Sequence, residues 1–180
     1  MSAYDERPWL ALYDEGKPDH IELEHETGLD MFRAAVDRAG DRPFVRYFDT
    51  ALTGSDVDHL SDGLAVGLRE LGVGPGDRVA VYLQNVPQFV LTMLASWKAG
   101  AIMVSINPML KERELELILA DSGATTLVCL ESLYADVARR VVPNTDVRSV
   151  ITTSPDATRW WTRNSTFSTP VMKPSSVALI

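Results

Sequence analysis

Apolar residues along this chain alternate between two rhythms, a helical spacing and short continuous runs. Leu29, Phe32, Val36 and Ala39 fall on one helical stripe, which predicts a helix from about 29 to 39. Phe44–Phe48 follows as a short strand. Val57, Leu60, Leu64, Leu68 and Leu71 then repeat at helical spacing, and Ser55 with Asp58 predicts a capping box at the start of that helix. Gly72 suits the left-handed residue just past its end, and Gly74-Pro75-Gly76-Asp77 is turn chemistry. Arg78–Leu83 reads as a strand.

A helix beginning near Pro87 carries Val90, Met93, Leu94 and Trp97 and stops before Gly100. Ala101–Ile106 is a strand, apolar nearly throughout, which predicts cover on both faces. Helix Lys111–Ser122 stops at Gly123, and Thr126–Leu130 is a third strand. A helix near Leu133–Val141 leads to a fourth, Val147–Thr152. Such alternation predicts an α/β fold, a mainly parallel sheet with right-handed crossovers and helices on both faces. Ligands of such sheets sit beyond the carboxyl ends of the strands. At that edge the sequence places Gln84, Asn85 and Asn107, the candidates for positioning roles near a cleft.

The 180 residues are 46% hydrophobic and 23% charged, an ordinary globular mixture that excludes disorder of the whole chain. The single cysteine, Cys129, excludes an intramolecular disulfide and points to a reducing, cytoplasmic setting. Net charge −8 argues against nonspecific binding of nucleic acid. The charge is uneven. Residues 151–180 hold three basic residues and one acidic, which leaves 14 basic and 24 acidic before them, net −10. No apolar run is long enough to span a bilayer, and residues 1–17 lack a signal-peptide core. The chain therefore divides into an arm over 1–50, a βαβαβ core over 51–153, and a Ser/Thr/Pro-rich connection over 154–180. That connection ends in Val177–Ile180, the opening of a strand that stops.

Catalytic constellations are scarce. The glycines of Gly72-Val-Gly74-Pro-Gly76 follow a helix and open a strand, the inverse of a dinucleotide-binding turn. His20, Glu22 and Glu24 share one side of an extended segment with Ile21 and Leu23 opposite, but no further ligand pair completes a metal site. His59 has no neighbouring nucleophile. Cys129 sits mid-strand among Leu127, Val128 and Leu130 and reads as a buried small hydrophobe. Asn164-Ser-Thr fits a glycosylation pattern without a secretory context, and Trp160-Trp161 reads as packing.

The order of segments nevertheless resembles the amino-terminal region of the AMP-forming adenylate-forming enzymes, most closely the acyl-CoA ligases. Leu52-Thr53 matches the start of that family's first core motif, with Gly54 standing where the family usually carries an aromatic residue. Gly72–Ala80 (GVGPGDRVA) lies at the family's next landmark. Lys98-Ala-Gly-Ala101 followed by Ile106-Asn-Pro108 matches its second motif. The resemblance covers about residues 30–153.

It implies a two-step reaction in which a carboxylate attacks the α-phosphate of ATP and coenzyme A then takes the acyl group. ATP, Mg²⁺ and coenzyme A serve the full-length family enzyme, with a fatty or other carboxylic acid as substrate. The Ser/Thr/Gly-rich loop ending in Pro-Lys-Gly, the aromatic-Gly-x-Thr-Glu segment, the ribose-binding aspartate and the late lysine do not occur in these 180 residues. The resemblance therefore carries over no catalytic residue, and Lys98 is not the family's catalytic lysine. The expectation is an amino-terminal portion, inactive alone and binding none of those molecules tightly, with a homo-oligomer or association with an intact ligase as possible states. The alternative is a non-catalytic protein-binding or dimerisation module built on the same scaffold.

Overall fold

The computed structural model describes residues 2–155 and 177–179. It opens with a short helix, α1 (Ala3–Glu6), and a 3-10 turn over Pro8–Leu12, neither of which the hydrophobic pattern predicts. Helix α2 (Gly28–Ala39) starts where Thr27 Oγ1 accepts the Asp30 amide at 3.1 Å. The strand predicted at 44–48 is half of an antiparallel hairpin, β1 (Pro43–Tyr47) with β2 (Thr50–Thr53). The sequence reading missed β2, because Thr50–Thr53 is too short to show a period of its own.

Helix α3 (Gly54–Glu70) is capped two residues earlier than Ser55 and Asp58 predicted. Thr53 Oγ1 accepts the Asp56 amide at 3.1 Å, and Asp56 Oδ2 accepts the Thr53 amide at 2.8 Å. Gly54 has a packing reason. A Cβ there would lie 3.3 Å from the Val36 backbone of α2, too near for an aromatic side chain without a shift of the two helices. At the other end Gly72 takes φ +90°. The turn that follows is closed by the Gly74 amide donating to Asp77 Oδ2 at 2.7 Å.

Strand β3 (Arg78–Tyr82), helix α4 (Pro87–Ala99), strand β4 (Ile102–Ser105), helix α5 (Glu112–Ser122) and strand β5 (Thr126–Leu130) come next. The helix predicted at 133–141 starts at Glu131 and is not uniform. A single turn α6 (Glu131–Leu133) passes through a π-type turn at Tyr134–Ala138 into α7 (Arg139–Val141). Strand β6 (Ser149–Thr153) closes the alternation, and β7 (Val177–Leu179) pairs antiparallel with it, Val150 opposite Ala178.

The sheet order is β4-β3-β5-β6-β7, with all pairings parallel except the last. Successive side chains on a strand face opposite ways. Val79 and Val81 therefore join Leu64 and Leu68 of α3, Leu91 and Leu94 of α4, and Ile151 of β6 in one core. Ala80 and Tyr82 join Leu115 and Leu119 of α5 and Val137 and Val141 in the other. Each such leucine or valine contributes roughly 1.5–3 kcal/mol by its burial. Strand β4 departs from the expectation of cover on both faces. It is an edge strand, and Ile102 is 51% exposed. Of the connection predicted over 154–180, only 154, 155 and 177–179 are described, so Trp160, Trp161 and Asn164 lie outside the described residues.

Candidate functional site

Helix α4 covers one face of the sheet, whereas α5 and α6–α7 cover the other. The chain leaves β3 toward one neighbour, β4, and later returns to its opposite side as β5. The strand order therefore reverses between β3 and β5. In open α/β sheets the crevice at the carboxyl ends beside such a reversal is the usual ligand position. Here it is bounded by Gln84 and Asn85 after β3, and by Glu131 after β5, which the sequence reading overlooked. The signal was available, since Glu131 directly follows the strand run Thr126–Leu130.

Gln84 and Asn85 are exposed, and the Gln84 carbonyl accepts the Val86 amide at 2.8 Å. Asn107, exposed after β4, turns its side chain back on its own loop, where Oδ1 accepts the Met109 amide at 2.9 Å. That loop is anchored from below. The Tyr82 hydroxyl donates to the Leu110 carbonyl at 2.6 Å, and burial raises the Tyr82 pKa, helped by Cys129 and Glu112 nearby. All three predicted residues thus reach the carboxyl edge, at the exits of two adjacent strands, but no hydrogen bond links them. For Asn107 the local role is loop closure.

Two groups on α4 extend the site beyond the predicted residues. Gln88, in its first turn and 2% exposed, donates from Nε2 to the Ser154 carbonyl at 2.9 Å, just past β6. Its Oε1 is buried and has no partner among the described residues. At the other end lies Lys98, with a side chain only 8% exposed. Its Nζ donates to Asp58 Oδ1 and Asp62 Oδ1, both at 2.6 Å, and to the Asp58 carbonyl at 2.8 Å. The ammonium also lies 5.9 Å from the centre of the Phe32 ring. The lysine of the Lys98-Ala-Gly-Ala motif thus joins α2, α3 and α4.

Elsewhere the chemistry is spare. Burial pushes the Cys129 thiol up to about 12, so it holds its proton at any ordinary pH. His59 is exposed. His20 Nδ1 lies 2.7 Å from Asp19 Oδ1 and Nε2 lies 3.9 Å from Glu22, while Ile21 and Leu23 on the opposite side are exposed rather than packed. The His20 contact lowers the Asp19 pKa. Among the described residues no group of three or more His, Cys, Asp or Glu could hold a metal ion. None of their helices is long and apolar enough to cross a membrane.

The profile of the family described as AMP-binding enzyme matches residues 32–180, including the tail that the motif reading left outside. A long-chain-fatty-acid–CoA ligase of Haemophilus influenzae is 35% identical over 150 residues, 82% of this chain and 26% of that protein. One from Yersinia pestis is 34% identical over the same span and shares. The crystal structure of a long-chain-fatty-acid–CoA ligase from Archaeoglobus fulgidus superposes with a TM-score of 0.63 at 30% identity. That likeness covers 76% of this chain and 32% of the other. This chain thus spans about a quarter of the length of the curated relatives it matches.

Proposed function

Because the chain belongs to the AMP-binding enzyme family, in the part its long-chain-fatty-acid–CoA ligase relatives share, we propose that it forms the amino-terminal portion of an acyl-CoA ligase. Its substrate class is a long-chain fatty acid, joined to coenzyme A through an acyl-adenylate formed from ATP. The carrying observation is the match over residues 32–180, within which Leu52-Thr53, Gly72–Ala80 and Lys98–Pro108 all lie. A place in fatty-acid metabolism and in the cytoplasm belongs to the same proposal.

The chain's own part in the reaction is architectural. Tyr82 and Gln88 fix the carboxyl edge, Lys98 locks the helices behind it, and the Ser/Thr/Gly-rich phosphate loop of the family is absent from the 180 residues. The phosphate charge built up in adenylation needs aligned amides and cations, and among the described residues no lysine or arginine follows β3 or β5 directly at this edge. The described residues offer no cluster for the implied Mg²⁺, and no metal step is assigned to them. We therefore expect the isolated chain, supplied with ATP, Mg²⁺ and palmitate, to give no palmitate-dependent ATP–pyrophosphate exchange. Clear exchange would overturn the claim of inactivity. The intact mass of the native gene product addresses the larger reading. A species far heavier than 19.9 kDa supports a ligase front, whereas one near that mass favours a free-standing module.

The free-standing reading has one structural observation in its favour. Among the described residues, strand β4 ends the sheet with the run Ile102-Met-Val-Ser105, free of the charges and prolines that usually protect an edge. Association through it, with a second copy or with an intact ligase, would appear as a dimer in sedimentation that Val104→Lys disperses. A monomer at every concentration tested would sink it.

A further inference from the structure

Strand β4 has an open backbone edge whose geometry can be read residue by residue. The Ile102 amide donates to the Asp77 carbonyl at 2.7 Å, and the Ile106 amide donates to the Val81 carbonyl at 2.9 Å. In a parallel ladder the residues turned toward one neighbour recur at every second position, so Val104 also turns toward β3. Met103 and Ser105 therefore aim their N–H and C=O groups the other way, where β4 has no neighbour among the described residues. The Met103 side chain packs against the core formed with α3 and α4, and Val104 packs against the one formed with α5. Ile102, on the Val104 face, is left 51% exposed.

Charge and register together select an occupant. The chain is net −8, so two copies repel over most of their surfaces. Residues 99–110, however, carry no charged side chain, and antiparallel pairing of β4 with itself sets this neutral stretch against its own copy. With a two-fold axis at Val104, Met103 donates to the carbonyl of the partner's Ser105 and accepts from its amide, and symmetry repeats both bonds. Val104 then faces the partner's Val104, and Ile102 faces the partner's Ile106, as closely spaced apolar pairs. Other two-folds fit worse. An axis at Met103 sets Ser105 against Ala101, whose amide already donates to the Ser96 carbonyl at 2.8 Å. An axis at Ser105 sets Met103 against Asn107, past the end of the strand. We propose, building on the reading of β4 as an association edge and independently of the ligase assignment, that two copies of this chain join through β4, antiparallel about Val104, making their five-stranded sheets continuous.

Disulfide trapping in the full chain reads the register. Val104→Cys and Ile102→Cys are each oxidised mildly, and covalent dimer is followed over time. Cys129 is buried, with its thiol pushed up to about 12, and stays out of the reaction. The introduced thiols at 104 lie directly opposite each other, whereas those at 102 lie four residues apart, about 13 Å. Covalent dimer should therefore form at least about tenfold faster from Val104→Cys. Random collision would favour the reverse, because Ile102 is the more exposed position. Ser105→Pro removes an outward N–H and no bond to β3. It should hold the Tm within about 2 °C and weaken the dimer in sedimentation by about tenfold or more. Equal or faster trapping at 102, or a dimer that Ser105→Pro leaves intact, would overturn the pairing about Val104 while leaving association itself standing. A chain that sediments as a monomer and traps at neither position would overturn both.

Discussion

The two ends of helix α4 handle buried polarity in opposite ways. At its carboxyl end the Lys98 ammonium has three hydrogen bonds and an aromatic face, all supplied by α2 and α3. At its amino end the Gln88 carboxamide makes one bond and leaves one atom unmet. A satisfied buried network specifies a single arrangement of the core, whereas a half-satisfied one costs stability and needs another reason to exist. The contrast separates a fully met end of the helix, at Lys98, from one that leaves a buried acceptor unmet, at Gln88.

The contrast breaks most readily at Lys98. Lys98→Met strands the Asp58 and Asp62 carboxylates near an apolar contact, though both are partly exposed, at 41% and 61%, and water recovers part of the loss. We expect a cost of about 2 kcal/mol, read as a lower urea midpoint at unchanged m-value. A neutral outcome would show that the Lys98 network does not stabilise the helical layer. Gly100→Ala strikes the same end through the backbone. Gly100 has φ +78°, and a Cβ would lie 3.3 Å from Pro75, so about 1–2 kcal/mol is expected in the same assay. Asp62→Asn keeps Asp58 in place and should cost only about 0.5 kcal/mol. An equal loss from Asp62→Asn and Lys98→Met would show the outer carboxylate to be the main partner.

The smallest effect belongs to the pair of Arg140 with Glu112, which joins α7 to the start of α5. Its hydrogen bond from Arg140 holds the Glu112 carboxyl below the usual 4.5. A lowered folded pKa stabilises above the unfolded value and is lost as pH falls through the folded one. Carboxyl ¹³C titration should therefore find Glu112 ionised somewhat below pH 4.5, and Arg140→Gln should return it to the ordinary range. Because Glu112 is solvent-exposed, the urea midpoint at pH 7 should hardly move in that variant. A large change would mean that the pair, like Lys98, organises the helices.

The sequence announced most of the scaffold, for reasons specific to each element. Helices α2, α3 and α5 show their stripes because each has one solvated face. Strands β3 and β5 show as apolar runs because helices cover both sides. What stayed hidden depends on distance along the chain. Thr53 with Asp56 and Ser55 with Asp58 are equally good caps on paper. The choice between them is settled by Lys98, forty residues away, which takes the Asp58 carboxylate. The placement of Gln84, Asn85 and Asn107 near strand exits was legible because they lie two or three residues past β3 and β4. Gln88 was not, since its partner lies 66 residues on at Ser154 and nothing in Pro87-Gln-Phe-Val90 marks it as buried. The π-type turn at Tyr134–Ala138 also left no trace in the apolar spacing.

The burial of Lys98 has a practical corollary. The sequence contains four lysines, and the described Lys17 and Lys111 both stand in solvent. An amine-directed label applied briefly at neutral pH should decorate those two quickly and pass over Lys98 while its three acceptors hold it. The mass of the tryptic peptide spanning position 98 then becomes a gauge of whether the helical layer is closed, readable in a crude lysate where no spectroscopic probe of folding would work.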